Sequence, residues 1–196
     1  MNNLRQHKAT LQRYLLENTS LGHRDAQALT DRFQYRVLQE KDIFQEAGMP
    51  VKSIGFLSEG VLARYTVNNK GQATICQFVN EQRFFADVTG FYNNTVSGST
   101  IKALTRCHLL TFPVDELYEL RENDPVLMPI ITEICTRNLV EIVKMQELFR
   151  CGTVTGHYQE LMTRYPRLIK QVQLQYIASY LNITQQSLSR IRKLKQ

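Results

Sequence analysis

The spacing of polar and apolar positions changes twice along this chain of 196 residues. Residues 2–17 predict an amphipathic helix, and a second short helix is expected around Asp25–Arg32. From Phe33 to Pro113, short runs rich in β-branched and aromatic residues alternate with turn residues. This pattern predicts antiparallel strands packed as a sandwich or barrel. From Val126 to Phe149 the spacing becomes helical, and a helix of that length extends roughly 37 Å.

An apolar stripe runs along this long helix. Its members are Ile131, Cys135, Asn138, Ile142, Met145 and Phe149. We expect one side of the helix to lie on the β domain and another to pair with a second copy of the chain. The alternative is a helix that packs wholly within its own chain. Asn138, the one polar residue of the stripe, is a candidate for fixing the register between two copies, as a buried Asn does in coiled coils.

The segment after the long helix contains two glycines. We predict a hinge over residues 151–156, followed by a helix in HYQELMTRYP that ends at Pro166. Residues 172–193 then predict two short helices joined by a tight turn. Asn182 lies at the turn, where a left-handed backbone is needed and Asn tolerates one. Thr184 is expected to be the N-cap of the second helix.

The second of these helices has one entirely polar face. Gln185, Gln186, Ser189, Arg190 and Lys193 fall within an arc of roughly 140°, opposite an apolar side made by Leu188, Ile191 and Leu194. Glutamine pairs with adenine, arginine with guanine or phosphate, and lysine with phosphate. The face therefore suits a DNA major groove. The alternative is an amphipathic helix that only faces water.

The charge of the chain favours the DNA interpretation. Residues 161–196 hold seven Lys and Arg and no acidic residue, whereas residues 1–160 hold 17 basic and 18 acidic residues. An excess of this kind indicates a polyanionic partner for the C-terminal end. Because the chain lacks a long apolar run and its N-terminus is polar, we expect no membrane span, no signal peptide and a cytoplasmic protein. The four cysteines are widely separated and are expected to be free thiols.

The order of a strand-rich sensor, a long helix, a glycine hinge and a helix–turn–helix resembles the Crp/Fnr family of bacterial transcription regulators. The similarity is most specific in IASYL, the Thr N-cap and LSRIRK near the C-terminus. It implies an α+β chain with an antiparallel cyclic-nucleotide-binding-like β-roll (jelly roll) and a winged-helix-like domain without its final wing. It further implies a sensor with its N-terminal helices at 1–124, a dimerisation helix at 125–150 and a DNA-binding domain at 151–196.

The resemblance also implies which residues contact DNA. Base contacts are expected from Gln185, Gln186 and Arg190, with phosphate or supporting contacts from Thr184, Ser189, Arg192 and Lys193. Family members often carry Arg-Glu at the first two positions. Two glutamines instead favour adenine over the guanine that an arginine would read.

The sensor departs from the cyclic-nucleotide-binding members of the family. Those members hold the cyclic phosphate with Gly-Glu and, about ten residues later, an Arg; here Ala86-Asp87 and Ser97-Gly98 stand in these places. We expect no fixed cation for the phosphate, no compensating charge beside Asp87, and therefore neither tight cyclic AMP binding nor a cofactor. Asp87, Ser97, Ser99 and Thr100 remain candidates for a pocket that takes another ligand. The alternative is a filled, ligand-free jelly roll.

Metal and enzyme sites are not expected. The first cysteine is Cys76, so the N-terminal cysteine group of the iron–sulfur members is missing, and the four histidines lie at least 16 residues apart with no His-x-His. No catalytic motif is found. We therefore predict a homodimeric regulator that binds a near-palindromic site on double-stranded DNA, with RNA polymerase as a candidate partner and no membrane. The alternative is a ligand-sensing or protein-interaction module that no longer binds DNA.

Overall fold

A computed structural model describes residues 2–67, 71–123, 127–150 and 152–193. Within them, eight strands form two four-stranded antiparallel sheets, ordered β1-β8-β3-β6 and β2-β7-β4-β5. The strands are β1 (Gln34–Leu38), β2 (Ile43–Gln45), β3 (Ser53–Glu59), β4 (Leu62–Val67), β5 (Ala73–Val79), β6 (Arg83–Phe85), β7 (Thr100–Ala103) and β8 (Cys107–Pro113).

Helices precede, interrupt and follow the strands. They are α1 (Asn2–Asn18), α2 (His23–Arg32), α3 (Val88–Tyr92), α4 (Val114–Asn123), α5 (Leu127–Arg150), α6 (Val154–Arg164), α7 (Pro166–Gln171), α8 (Leu174–Tyr180) and α9 (Gln185–Lys193). Among the described helices, none combines the length and the apolar content that crossing a membrane requires.

The first sheet is covered on both sides. Leu57 and Leu109 face the second sheet and pack against Leu62 and Ile101 in the interior of the roll. On the other side, Phe56, Leu110 and Phe112 pack with α1, α2 and α4, where they meet residues such as Leu11, Leu15 and Leu117. This explains why the sequence of β8 is almost continuously apolar and does not alternate between apolar and polar residues.

A further hydrophobic cluster joins the roll to the C-terminal helices. Val61, Ala63 and Ile75 of the β4–β5 region pack with Tyr158, Leu161, Leu168, Ile177 and Leu188. At its edge, the rings of Phe78 and Tyr180 lie 4.9 Å apart. The backbone N–H of Ile75 donates to the Ser179 hydroxyl at 3.3 Å. The helix–turn–helix segment is therefore packed directly on β5.

Most of the predicted elements are confirmed. The two N-terminal helices and the longer strands are present, and β4 pairs antiparallel with β5 as the hairpin pattern predicts. Asn69 and Lys70 of that hairpin turn lie outside the described residues, as do residues 194–196, which include Leu194 of the predicted apolar side of α9. The sequence analysis missed β2, β6, α3, α4 and α7. The two strands and α3 have three to five residues and α7 has six, too few to show a period. Among its described side chains, α4 buries Val114 and Leu117.

The glycine segment is shorter than predicted. Helix α6 begins at Val154, and Thr153 is its N-cap, because the Thr153 hydroxyl accepts from the Gly156 N–H at 3.2 Å. The prediction of a hinge over 151–156 is therefore wrong for residues 154–156, which are helical. Gly152 precedes the helix with φ +138°, a conformation that favours glycine, and Cys151 lies outside the described residues.

The apolar stripe of α5 faces inward more than predicted. Ile131 packs on the cluster beneath the first sheet, Met145 packs on the cluster of the C-terminal helices, and the Asn138 amide donates to the Phe84 carbonyl at 3.4 Å. One amide N–H of Asn138 is thus used within its own chain, and the role of Asn138 in the register of two copies stays a prediction. The side chain of Phe149 lies outside the described residues. The outward apolar side of α5 consists of Leu139, Val140, Ile142 and Val143, between 37% and 59% exposed.

Candidate nucleic-acid interface and sensor site

The turn between α8 and α9 has the predicted geometry. Asn182 adopts φ +54°, the left-handed conformation expected for it. The Thr184 hydroxyl accepts from the Ser187 N–H at 3.1 Å, which confirms Thr184 as the N-cap of α9. Ile177, Ala178 and Leu181 are buried, so one face of α8 is held in the core while the turn directs α9 outward.

Helix α9 presents its polar face to water. Gln185, Gln186, Arg190, Arg192 and Lys193 are exposed and Ser189 is half-buried. On the opposite side Leu188 is fully buried and Ile191 packs against the same cluster. The amphipathic division predicted from the sequence is confirmed, and the side chains expected to contact DNA lie together on the surface.

The basic residues of the C-terminal segment fall into two groups. Arg164 is paired with Glu160, and Arg167 with Glu81 at 2.5 Å. Within the described part of the chain, Lys170, Arg190, Arg192 and Lys193 form no ion pair. Three of these four residues lie on α9, next to the two glutamines.

The predicted sensor residues largely converge on one carboxylate. The Ser97 and Ser99 hydroxyls donate to Asp87 Oδ2 at 2.6 and 2.9 Å, and the Gly90 N–H donates to Oδ1 at 3.1 Å. Asp87, Ser97 and Ser99 are each at most 4% exposed. Thr100 is engaged elsewhere, because its hydroxyl accepts from the Ala47 N–H at 3.2 Å. The structure thus brings three of the four residues together.

An arginine that the sequence analysis missed stabilises this carboxylate. Burial raises the pKa of Asp87, but hydrogen bonds from Ser97, Gly90 and Ser99 and the positive charge of Arg64 together lower this pKa below its ordinary 3.8. Arg64 lies in β4 and donates to the Ala86 carbonyl. The prediction that Asp87 has no compensating charge is therefore wrong. The available signal was a basic residue within the largely apolar run LARYTV.

Comparisons with known proteins agree with this architecture. Residues 35–124 match the cyclic nucleotide-binding domain family. FixK2 of Bradyrhizobium japonicum superposes with a TM-score of 0.66 at 14% identity, covering 83% of each chain. DNR of Pseudomonas aeruginosa superposes with a TM-score of 0.55 at 22% identity, covering 95% of this chain and 86% of DNR. The Thermus thermophilus catabolite activator protein superposes with a TM-score of 0.56 at 13% identity, covering 92% of this chain and 85% of that protein.

The chain has the Crp/Fnr fold. None of the curated proteins matches the sequence. In this chain, Asp87, Ser97 and Ser99 satisfy one another, so an anion bound by the two serines would have to displace the carboxylate of Asp87. Two open clefts, of about 480 and 280 Å³, lie instead where the roll meets α7.

Two of the histidines lie close together in the fold although they are far apart in the sequence. His7 of α1 and His108 of β8 are buried, and their rings stack with centroids 4.5 Å apart. Glu59, at the end of β3, lies beside them. The sequence analysis, which judged the histidines by their spacing, did not bring this pair together. Sequence spacing could not reveal the pair, because it depends on how α1 crosses the sheet.

Proposed function

We propose that the protein is a cytoplasmic, homodimeric transcription regulator that binds double-stranded DNA through α9. The observation that carries the proposal is the outward polar face of α9, with Gln185, Gln186 and Arg190 exposed and Leu188 buried beneath them. We assign sensing to residues 1–124, dimerisation to 125–150 and DNA binding to 151–196. The fold supports this assignment, since DNR of Pseudomonas aeruginosa is described as a transcriptional regulator.

The proposed contacts follow from the chemistry of the exposed groups. The amides of Gln185 and Gln186, the first residues of α9, can each pair with adenine in the major groove, and Arg190 one turn later can pair with guanine or phosphate. Thr184, Ser189, Arg192 and Lys193 would hold the helix on phosphates. Phosphate contacts fix the register of the protein on the duplex, whereas base contacts specify the sequence.

Two copies of α9 are needed for a near-palindromic site. In helix–turn–helix dimers the recognition helices enter successive major grooves roughly 34–36 Å apart. The exposed apolar side of α5 supports such a dimer, because its four aliphatic side chains are 37% to 59% exposed in one chain. A second α5 packed there would remove them from water.

The state of the sensor supports a regulator that does not respond to cyclic AMP. Ser97, Ser99 and the Gly90 N–H already have Asp87 as their acceptor. A cyclic phosphate would introduce a negative charge beside a buried carboxylate, and the charge of Arg64 is already shared with that carboxylate.

The decisive experiment measures sequence-specific DNA binding. A preferred duplex is selected from a random pool with the full chain, and its affinity is measured by fluorescence anisotropy for wild type, Arg190→Ala and Arg24→Ala. Arg190→Ala is expected to cost about 1–3 kcal/mol, or roughly 5- to 150-fold in affinity. Arg24 is an exposed arginine of α2, so Arg24→Ala removes the same charge without touching α9.

Two results would contradict the proposal. If no duplex is enriched, or if the two variants bind equally well, α9 does not read DNA. Either result would favour a ligand-sensing or protein-interaction module.

A further inference from the structure

Three potential metal ligands meet where α1 crosses the ends of β3 and β8. His7 and His108 are 4% and 9% exposed, and Glu59 is exposed at the rim. One potential ligand atom from each of the three lies within 4.8 Å of the others. They come from three separate elements, so only the folded chain brings them together.

An irregularity in β3 creates this arrangement. Leu57 is paired with Leu109 across the sheet, but the next pair joins Glu59 to His108, so Ser58 is an extra residue in β3. Such a bulge re-aims the side chains around it. Here it places Glu59 opposite His108. Gly60 follows with φ +103°, and a Cβ there would lie 2.6 Å from the Arg106 carbonyl, so the turn after Glu59 requires glycine.

Each histidine already has a partner for one ring nitrogen. His7 Nδ1 lies 2.9 Å from the Ser58 hydroxyl, and His108 Nδ1 lies 2.5 Å from the Tyr35 hydroxyl. Metal-bound histidines almost always engage their second nitrogen in this way, which fixes the tautomer and the ring orientation. When Nδ1 of each ring donates its hydrogen to the hydroxyl, Nε2 is the nitrogen that each can offer to an ion.

The arrangement of the three side chains also suits a cation. The two rings lie next to each other, and Glu59 lies beside them at the rim. A cation bound between the two rings would also meet the carboxylate of Glu59.

We propose that His7, Glu59 and His108 form a binding site for a divalent transition-metal ion of the Zn²⁺ class. Two imidazole nitrogens and one carboxylate oxygen are a donor set for such ions, with water in the remaining position. Ca²⁺ and Mg²⁺ prefer oxygen ligands alone. Tetrahedral ligand atoms on Zn²⁺ lie about 3.4 Å apart, so ligand atoms that are as much as 4.8 Å apart must move closer on binding. The larger cleft, which His7 and Glu59 both line, gives the ion a route in from solvent.

The test uses the full chain after treatment with a chelator. Co²⁺ is added and its visible absorption followed, and Zn²⁺ affinity is measured by competition with a chromophoric chelator. Wild type is expected to bind one equivalent per chain with absorption typical of tetrahedral Co²⁺. Glu59→Gln, His7→Gln and His108→Gln should each weaken binding by about tenfold or more. His23→Gln, at an exposed histidine of α2, should bind like wild type.

Glu59→Gln keeps the test independent of folding, because Glu59 is exposed and the change is isosteric. Thermal unfolding of each metal-free variant checks that the fold is retained. Added Zn²⁺ should raise the unfolding temperature of wild type and His23→Gln more than that of Glu59→Gln. The proposal is overturned if wild type shows no saturable binding, or if Glu59→Gln binds as tightly as His23→Gln. It is equally overturned if the Co²⁺ spectrum shows thiolate ligation, because the ion would then lie on a cysteine.

Discussion

Asp87 shows at the residue scale how one side chain can organise a loop. It accepts from two serine hydroxyls ten and twelve residues later and from the Gly90 N–H that opens α3. Buried donors that lose their acceptor cost about 1–3 kcal/mol each. The carboxylate therefore ties the segment from Asp87 to Ser99 into one unit, and Arg64 of β4 offsets its charge.

We predict that Asp87→Ala lowers the free energy of unfolding by about 3 kcal/mol at pH 7, measured by urea denaturation, because the three donors lose their acceptor. The folded pKa of Asp87 lies below its ordinary 3.8. The carboxylate's contribution is thus complete above that pH and is lost as the pH falls through the lower folded pKa. The difference between wild type and variant should shrink below about pH 4.

Asp42→Ala is the matched control for this measurement. Asp42 is exposed and accepts one hydrogen bond, from the Gln39 N–H at 2.8 Å. Asp42→Ala should lower the free energy of unfolding by less than 1 kcal/mol. Substitutions at surface positions usually change this free energy by roughly 0.5 kcal/mol or less. Equal losses in the two variants, or a difference for Asp87 that does not change with pH, would contradict the account of the buried carboxylate.

The sequence anticipated part of this site. Asp87, Ser97 and Ser99 could be grouped because they occupy neighbouring positions of a family motif. Arg64 could not be added, because strand pairing and not chain distance brings it near. The same is true of His7 and His108, whose contact depends on the packing of a helix on a sheet. Residues contributed by one local segment were predictable, and those contributed by a second element were not.

At the scale of single elements, α9 depends on its ends and on its packing. It has nine residues, which is too short for a helix to be stable alone in water. Its stability comes from the Thr184 cap and from the full burial of Leu188.

We predict that Thr184→Ala lowers the free energy of unfolding by about 1 kcal/mol, because the Ser187 N–H loses its side-chain acceptor. Thr184→Ser keeps the hydroxyl and should be close to wild type. Urea denaturation of the two variants measures the difference. If both variants are equally destabilised, the methyl group of Thr184 and not its hydroxyl supports the helix.

Helix α5 has apolar residues on two sides, and only one side is used within the chain. We predict that wild type is a dimer in sedimentation equilibrium and that Val143→Glu is a monomer, because a carboxylate would be buried between two copies. Val67→Glu is the control, since Val67 is 67% exposed at the end of β4. If Val143→Glu is still a dimer, or if wild type is a monomer, the exposed apolar side of α5 is not a dimer interface.

Periodicity predicted the existence of α5 but not which side faces which neighbour. The predicted stripe contains Ile131 and Met145, which pack within the chain, together with Cys135 and Ile142, which are exposed. A helix covered on two sides has a broad apolar arc, so its pattern alone does not separate the two contacts. The long strands were predictable because their apolar and polar residues alternate and turn residues bound them. A strand of three residues such as β2 is too short to show this pattern.

At the scale of the whole molecule, the roll and the C-terminal helices form a continuous packed unit. Their shared cluster includes Ile75 of β5 and Ile177 of α8, and the Arg167–Glu81 ion pair lies near its edge. A change in the conformation of β5 would therefore act directly on the packing of α8. The packing of α8 depends on the side chains that β5 presents to it, such as Phe78.

We predict that Phe78→Ala, a change within the roll, accelerates amide hydrogen exchange in α8 and α9, because it removes the ring that meets Tyr180. Phe44→Ala is the control. Phe44 is a half-buried aromatic residue that packs on Phe85 inside the roll, away from the C-terminal helices. Exchange that rises equally in α8 for both variants, or in neither, would show that the contact does not couple the two halves.

The cluster shared by β5 and α8 also limits how this chain can be recombined in evolution. Separated halves would each expose part of an apolar surface, for example around Ile75 on one and Ile177 on the other. A C-terminal half taken from a relative would be accepted only if the helix that replaces α8 carried side chains complementary to β5. On the proposed function, the DNA sequence that α9 reads therefore changes more easily through substitutions on its outer face than through replacement of the whole segment.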